Sequence, residues 1–172
     1  MNTNSCSERK HTEVQFQDAD LALAEYLTQL ALDSNAFYSY RTVSDKEAEK
    51  VFLVKEEHFK RGIIRLMKVC DEIIGFFGIY HEEKEGKTTN CLSHLFLHPD
   101  FIGKGYGKLL FQEAMRAAEQ ELCWEGVIWE SDPHAADFYR KMGARKIGDN
   151  PCILNPSFRS PVFIYVIGNA VY

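Results

Sequence analysis

Three glycines within five positions, Gly103, Gly105 and Gly107, mark the stretch of this 172-residue chain whose spacing most suggests chemistry. They follow the apolar run and Pro-Asp pair of LFLHPD and precede an amphipathic helical pattern. Glycine inside a helix is less favourable than alanine by roughly 1 kcal/mol, so its use here indicates a need for unusual backbone angles or close approach. The first turn of a helix offers unpaired N–H groups and the positive end of the dipole. With Lys104 and Lys108 nearby, the loop predicts a phosphate site.

The spacing of these glycines excludes two common phosphate-binding motifs. The dinucleotide pattern G-x-G-x-x-G fails because its sixth position is Lys108 when counted from Gly103, and Leu110 when counted from Gly105. The P-loop pattern fails because Leu109 follows Lys108 where Ser or Thr is required. The loop by itself leaves open a flexible helix entry that binds no ligand.

The loop and a second motif downstream together resemble the GNAT superfamily of acyl-CoA-dependent N-acyltransferases. The family pattern R/Q-x-x-G-x-G/A falls on residues 102–107, and N-x-x-A-x-x-F-Y-x-K-x-G-F falls on residues 132–144. The resemblance covers nearly the whole chain. It implies a single α/β (α+β) domain whose mixed, mostly antiparallel sheet of about six to seven strands is flanked by about four helices. It also implies acetyl-CoA as cosubstrate.

The chain departs from the family pattern at three positions. Ile102 replaces the usual Arg or Gln and removes a side-chain donor, so we expect at most weaker cofactor binding, since the backbone amides remain. Asp132 replaces the common Asn, and Ala144 replaces the aromatic residue that usually follows the glycine. We expect neither of these two to touch the central chemistry.

The resemblance implies which residues bind acetyl-CoA and which of them acts as the general acid. Backbone groups of the strand are expected to hold the pantetheine arm and to polarise the thioester carbonyl. Tyr139 is expected to protonate the leaving thiolate, because a phenol is a weak acid; packing is its alternative role. His134 is expected to contact the cofactor, or else to be an exposed helix-entry residue. The expected cofactor contacts are Leu95, Phe96, Leu97, Ile102, Gly103, Lys104, Gly105, Tyr106, Gly107, Lys108, His134 and Tyr139.

The group that deprotonates the amine is not fixed by the sequence. His94 lies in the strand before the loop, and imidazole exchanges protons near neutral pH. Glu82 and Glu130 lie near the ends of neighbouring strands, and an ordered chain of waters is a further alternative. Cys91 stands where many relatives carry Glu, but no activating partner for a nucleophilic thiolate is visible.

Composition limits the partners and the compartment. The net charge is −5 and the pI about 5.7, with no dense Lys/Arg cluster, which argues against nucleic-acid and membrane binding. Five scattered cysteines argue against a disulfide framework and against a zinc site, so we expect no metal. The longest apolar run, IIGFFGIY, is far shorter than the ~20 residues a membrane helix needs. The polar N-terminus lacks an apolar signal region, and we expect a cytoplasmic protein.

Hydrophobic periodicity predicts one domain over residues 13–172, preceded by a flexible tail over 1–12. Gly62 is predicted to cap the second helix, and the aromatic AFYSY loop and Trp129 to form either a pocket wall or a core edge. Helices are predicted over 21–32, 45–62, from the glycines to about 122, and 134–143. Strands are predicted over 14–17, 63–70, 73–83, 91–99, 126–133, 144–148 and 161–167.

We therefore interpret the chain as an N-acetyltransferase that moves an acetyl group from acetyl-CoA to a primary amine by direct attack in a ternary complex. The alternative is a non-catalytic acyl-CoA-binding or sensing module on the same fold. A generic anion-binding domain is disfavoured by the second motif. The acceptor stays open among polyamines, amino acids, antibiotics and protein amines, and a homodimer is one assembly that we consider.

Overall fold

Seven strands form one mixed sheet in this computed structural model, which describes residues 13–168. The strands are β1 (Val14–Asp18), β2 (Gly62–Val69), β3 (Glu72–Lys84), β4 (Lys87–Leu97), β5 (Gly126–Glu130), β6 (Arg145–Pro151) and β7 (Arg159–Val166). Their order across the sheet is β1-β2-β3-β4-β5-β7-β6, and every neighbouring pair is antiparallel except β4–β5. The predicted mostly antiparallel sheet is confirmed; the predicted tail over 1–12 lies outside the described residues.

Helices cover both faces of the sheet. They are α1 (Ala24–Ala36), α2 (Asp45–Phe52), α3 (Glu56–Arg61), α4 (Tyr106–Gln120) and α5 (Ala136–Lys141). Neighbouring residues of β3 show the two layers, because successive side chains of a strand point to opposite faces. Phe76 packs in the core beneath α1 and α2, whereas Phe77 packs in the larger core beneath α4. The sheet is therefore buried on both faces, which explains the near-continuous apolar runs of its central strands.

The single helix predicted over 45–62 is wrong, because the chain breaks between α2 and α3. Leu53 takes a non-helical conformation and Val54 is buried at 4 % exposure. The freed backbone groups find partners elsewhere: the Val54 N–H donates to Thr28 Oγ1 at 3.0 Å, and the Phe52 carbonyl lies 3.2 Å from His94 Nε2. Burial of Val54, supported by these two bonds, overrides the local helical pattern.

Gly62 does end α3, but for a different reason from the one predicted. Its φ of −173° is extended backbone, so no left-handed cap is formed. A Cβ at this position would lie 1.9 Å from the carbonyl oxygen of Ile79. Glycine is needed because β2 begins here in close contact with β3.

Two features open a gap between β4 and β5, the parallel pair. In the described part of the chain, these two strands are joined by the single residue pair Cys91–Ile128. Ser93 forms a bulge, because Leu92 opposes Ile79 and His94 opposes Gly78, which leaves Ser93 without an opposite residue on β3. A bulge bends its strand, so β4 turns away from β5 beyond this point. The split creates space at the centre of the sheet.

Candidate active site

A cleft of about 680 Å³ occupies the gap between β4 and β5. It extends from the glycine loop, residues 102–107, to the segments that join α1 to α2 and β6 to β7. Lys108 is the only Lys or Arg among the described residues that line it, whereas Glu130 and Asp132 supply negative charge. The cleft therefore carries a positive side chain at the glycine loop and carboxylates elsewhere.

The glycine loop combines left-handed glycines with open space at the start of α4. Gly103 and Gly105 have φ of +78° and +90°, and a Cβ at either position would meet nothing within 4 Å. Gly105 precedes the first turn of α4, and no side chain caps that helix start. The amides of the first turn and the side chain of Lys108 can hold a pyrophosphate there, so the residues present fit coenzyme A.

Not every residue predicted at the loop lines the cleft. Gly103, Gly105, Gly107, Lys108 and Ile102 line it; Lys104 and Tyr106 do not. Lys104 lies over the ring of Phe101 at 5.8 Å, and Tyr106 packs on the same ring at 5.7 Å. The backbone amide of Tyr106 is still part of the helix start.

The strand predicted to bind the pantetheine arm does line the cleft. Leu95, Phe96 and Leu97 lie just beyond the Ser93 bulge, where β4 separates from β5. Backbone groups that a parallel neighbour would otherwise pair are left for a ligand at this point. A peptide-like chain inserted between the strands would satisfy them.

Tyr139 lies in the cleft wall and is also part of the core. Its ring packs on Trp129 at 4.9 Å and on Phe163 at 5.8 Å, and only 7 % of the residue is exposed. Burial, and then the charge of Asp132, raises the pKa of Tyr139. The phenol is therefore protonated at neutral pH and can donate a proton. Trp129 lies in the same wall, so the two roles considered for it, pocket wall and core edge, coexist.

Asp132 organises the polar part of the cleft. Its Oδ2 accepts hydrogen bonds from the Tyr40 hydroxyl at 2.6 Å and from Asn35 Nδ2 at 2.9 Å. Its Oδ1 accepts one from the backbone N–H of His134 at 2.7 Å and lies 3.3 Å from Nδ1 of the same residue. Asp132 therefore lines the cleft at the centre of a network, and the expectation that it lies away from the chemistry needs revision.

Aromatic rings surround His134 in a region that we call the aromatic end, formed by Tyr38, Tyr40, His134 and Phe158. Ring centroids lie 5.5 Å from His134 for Tyr38, 4.6 Å for Tyr40 and 5.5 Å for Phe158. Burial, with the negative charge of Asp132, raises the pKa of both Tyr38 and Tyr40. The AFYSY loop thus contributes to the pocket wall, one of its two predicted roles.

His94, the histidine predicted as a base, does not line the cleft. It is buried, with Nε2 3.2 Å from the Phe52 carbonyl and Nδ1 2.7 Å from the Ser93 hydroxyl. Burial, and then the charge of His58, lowers the pKa of His94 to about 3. Both ring nitrogens are engaged and the imidazole is a weak base, so the geometry supports a structural role.

Glu82 also lies outside the cleft lining. It is exposed on β3, where its Oε2 lies 3.7 Å from the sulfur of Cys91. Burial, and then Glu82, raises the pKa of Cys91 to about 12, which keeps the thiol protonated and unreactive as a nucleophile. Glu130 does line the cleft, and it accepts a hydrogen bond from Asn150 Nδ2 at 2.8 Å.

Sequence reasoning missed Asn35, Ser93 and Phe158. Asn35 stands at the end of the first helix, and nothing in its spacing links it to a residue 97 positions away. Phe158 lies in an irregular segment between the last two strands. Only Ser93 had a usable signal, since a polar residue interrupts the apolar pattern of CLSHLFL where the bulge occurs.

Within residues 13–168, no group of three or more His, Cys, Asp or Glu is placed to hold a metal ion. No helix in the same range is long and apolar enough to cross a membrane.

Known proteins similar to this chain share its fold. A family model described as Acetyltransferase (GNAT) domain matches residues 47–143, and no curated protein sequence matches. A Corynebacterium glutamicum structure described as histone acetyltransferase HPA2 and related acetyltransferase aligns with a TM-score of 0.67 and 13 % identity, covering 92 % of this chain and 99 % of its own. A variant of spermidine N-acetyltransferase from Vibrio cholerae aligns with a TM-score of 0.65 and 14 % identity, and the alignment covers 91 % of this chain and 95 % of that protein. A ribosomal α-N-protein acetyltransferase in complex with coenzyme A aligns with a TM-score of 0.64 and 17 % identity, and the alignment covers 91 % of this chain and 96 % of that protein.

Proposed function

Because the chain belongs to the GNAT acetyltransferase family, whose domain model matches more than half of it, we propose that it transfers an acetyl group from acetyl-CoA to a primary amine. The transfer takes place by direct attack of the amine in a ternary complex. One observation carries the proposal: a single cleft joins the glycine loop, the split between β4 and β5, and the phenol of Tyr139. We therefore assign the phosphates to the glycine loop, the thioester to the split between the strands and proton donation to Tyr139, all within this cleft.

The residues that line the cleft have different roles in the proposed reaction. Amides of the α4 start and Lys108 bind the phosphates, and the backbone of Leu95, Phe96 and Leu97 orients the pantetheine arm and polarises the carbonyl. Acetyl-CoA supplies the activated acyl group when bound. The Tyr139 hydroxyl gives its proton to the sulfur as the carbon–sulfur bond breaks.

Charge and unmet hydrogen-bonding capacity in the cleft favour an amine as the acceptor. Glu130 and Asp132 have no Lys or Arg beside them among the described cleft residues, so their field attracts a cation. Buried Asn35 lines the cleft, and its Oδ1 has no hydrogen-bond partner among the described residues. A buried acceptor of this kind is stabilised by an N–H donor. The structural neighbours are named for different acceptors, spermidine, histone and a ribosomal protein, so the fold alone does not choose among amines.

The experiment is an amine panel assayed with acetyl-CoA. Spermidine, lysine, phenethylamine and a peptide with a free N-terminus are incubated with the full chain, and coenzyme A and the acetylated product are measured by chromatography. Chromatography is required because Cys123 is exposed and would react with thiol dyes. Equal amounts of amide and coenzyme A support the proposal. Tight acetyl-CoA binding with no turnover on any amine would instead support the acyl-CoA-binding module.

A further inference from the structure

We infer that His134, held by Asp132, is the general base that deprotonates the acceptor amine. The inference rests on the proposed function and adds a catalytic residue to it. An alkylamine is mostly protonated at neutral pH, with a pKa near that of lysine, roughly 10.4, so a proton acceptor near the thioester is needed. His134 is the only histidine among the described residues that line the cleft.

The contact with Asp132 decides which nitrogen of the ring accepts the proton. Asp132 Oδ1 lies 3.3 Å from His134 Nδ1 and also accepts the backbone N–H of His134 at 2.7 Å. The negative charge of the carboxylate at this distance favours the neutral imidazole whose hydrogen is on Nδ1, because a carboxylate oxygen repels a lone pair and attracts an N–H. The lone pair is then on Nε2, which is the atom able to take a proton from the amine.

Asp132 itself cannot take that proton readily, because its hydrogen-bonding capacity is already used. A carboxylate offers about four lone-pair positions. Tyr40 and Asn35 donate hydrogen bonds to Oδ2, the backbone N–H of His134 donates one to Oδ1, and the ring Nδ1 of His134 lies 3.3 Å from Oδ1. Asp132 is therefore a positioning residue, which orients the imidazole and stabilises its protonated form.

The surroundings of His134 fix its ring while keeping it in contact with solvent. Tyr38 stacks on the ring with an interplanar angle of 17°, and Tyr40 and Phe158 pack at other angles. About a third of the side chain, 34 %, is exposed, so a proton taken from the amine can leave to water. The titratable groups that face it are Asp132 from its own turn and Tyr38 and Tyr40 from the α1–α2 segment. Phe158, which packs on the ring from the β6–β7 segment, has no titratable group.

The proton balance follows from these positions. The ammonium nitrogen must lose two protons as it becomes an amide. His134 Nε2 takes the first, which frees the nitrogen lone pair to attack the thioester carbonyl and form the C–N bond. The second leaves the nitrogen for solvent after attack, while the C–S bond breaks, the sulfur takes the proton of the Tyr139 hydroxyl, and Tyr139 regains a proton from solvent. The net products are the amide, free coenzyme A and one proton released to solvent.

The test compares His134→Gln with His98→Gln on the best amine of the panel. Glutamine keeps a polar side chain but is not a base at neutral pH. We expect kcat to fall by about 10²-fold or more in the His134 variant, with a small change in the KM of the amine. We expect kcat/KM of the wild type to fall on the acid side and that fall to be absent in the variant, and a weakly basic amine such as a hydrazine should lose less.

His98 is the matched control, because it lies outside the cleft in a turn of similar backbone conformation in which the order of His and Asp is reversed. The sequence is His98-Pro99-Asp100 there and Asp132-Pro133-His134 at the site. His98 Nδ1 instead accepts the Asp100 backbone N–H at 3.3 Å. We expect His98→Gln to keep wild-type kcat and pH profile.

The role of Asp132 has its own readout. Long-range ¹H–¹⁵N NMR of the imidazole should show the Nδ1–H form of His134 in the wild type and a loss of that preference in Asp132→Asn. A wild-type pH profile and kcat for both His134→Gln and His134→Asn would overturn the inference, and so would unfolding of both. A wild type that acetylates no amine would refute the proposed function first, and the inference with it.

Discussion

The hydroxyl of Tyr40 donates a hydrogen bond of 2.6 Å to the carboxylate of Asp132, 92 positions later in the chain. The bond ties the α1–α2 segment to the turn that precedes α5, across the cleft. Because Tyr40 is buried and its partner is charged, the bond contributes to stability as well as to the shape of the site.

Removing that hydroxyl should destabilise the fold. For Tyr40→Phe we expect the free energy of unfolding to fall by about 1–3 kcal/mol, since the bond to a charged acceptor is lost and the aromatic packing is kept. Urea unfolding of the two proteins measures the difference. Tyr26→Phe is the control, because the Tyr26 ring is 47 % exposed and its hydroxyl should not matter. Equal midpoints for wild type and Tyr40→Phe would show that the bond contributes little.

An ion network on the opposite edge of the molecule should control acid stability. Arg65 donates to Glu121 at 2.8 and 2.9 Å, and this bond, followed by that from Arg116, lowers the pKa of Glu121 to about 2. An unfolded glutamate has a pKa of about 4.3. A depressed folded-state pKa gives stability that is present above pH 4.3 and lost as the pH falls towards 2.

The measurement for this network is the melting temperature between pH 5 and pH 2.5. Glu121→Gln should be less stable than the wild type at pH 5 and should lose less stability on acidification. Glu49→Gln, on the exposed side of α2, should follow the wild-type curve. Parallel curves for wild type and Glu121→Gln would mean that the network does not set the acid limit.

The glycine motif predicted where a cleft-lining loop begins a helix, and hydrophobic periodicity predicted the sheet and most helices. Both signals are local, since the glycine spacing and the alternation of apolar residues are visible within a few positions. The break at Val54 and the bulge at Ser93 depend instead on partners such as Thr28 and Gly78, which are distant in sequence. Local pattern cannot reveal a backbone group whose partner is supplied by another element.

The sequence could not show which candidate base faces the cleft, for a related reason. His94 and Glu82 were chosen for their positions on strands near the cleft, but strand position does not say which face or edge a side chain meets. His94 points into the core beneath α2, where it bonds the Phe52 carbonyl. His134 was noted as a cofactor contact, and its link to Asp132 was not visible as a pair with a chemical role.

Replacing Gly105 with alanine should impair acetyl-CoA binding. Gly105 has φ +90° and open space around its Cβ position, so alanine there strains the backbone of the helix start rather than clashing with protein. We expect the Gly105→Ala variant to fold and to lose most of the rise in melting temperature that acetyl-CoA gives the wild type. Gly86→Ala is the matched control, with φ +74° and equally open space in the β3–β4 turn. Equal acetyl-CoA shifts in the two variants would show that the loop is not the phosphate site.

Removing the Tyr139 hydroxyl should slow turnover without weakening cofactor binding. Burial and Asp132 raise the pKa of Tyr139 above its usual 10, so the phenol stays protonated throughout pH 7–10 and should cause no loss of kcat in that range. For Tyr139→Phe we expect kcat to fall by about 10²-fold, because the leaving thiolate loses its proton donor, while the ring still packs on Trp129. Steady-state kinetics and the acetyl-CoA shift in melting temperature measure the two effects.

Tyr165→Phe is the control, because the ring of Tyr165 packs on Phe111 at 5.4 Å outside the cleft lining, and this variant should keep wild-type kcat. Wild-type kcat in Tyr139→Phe would assign the residue to packing alone.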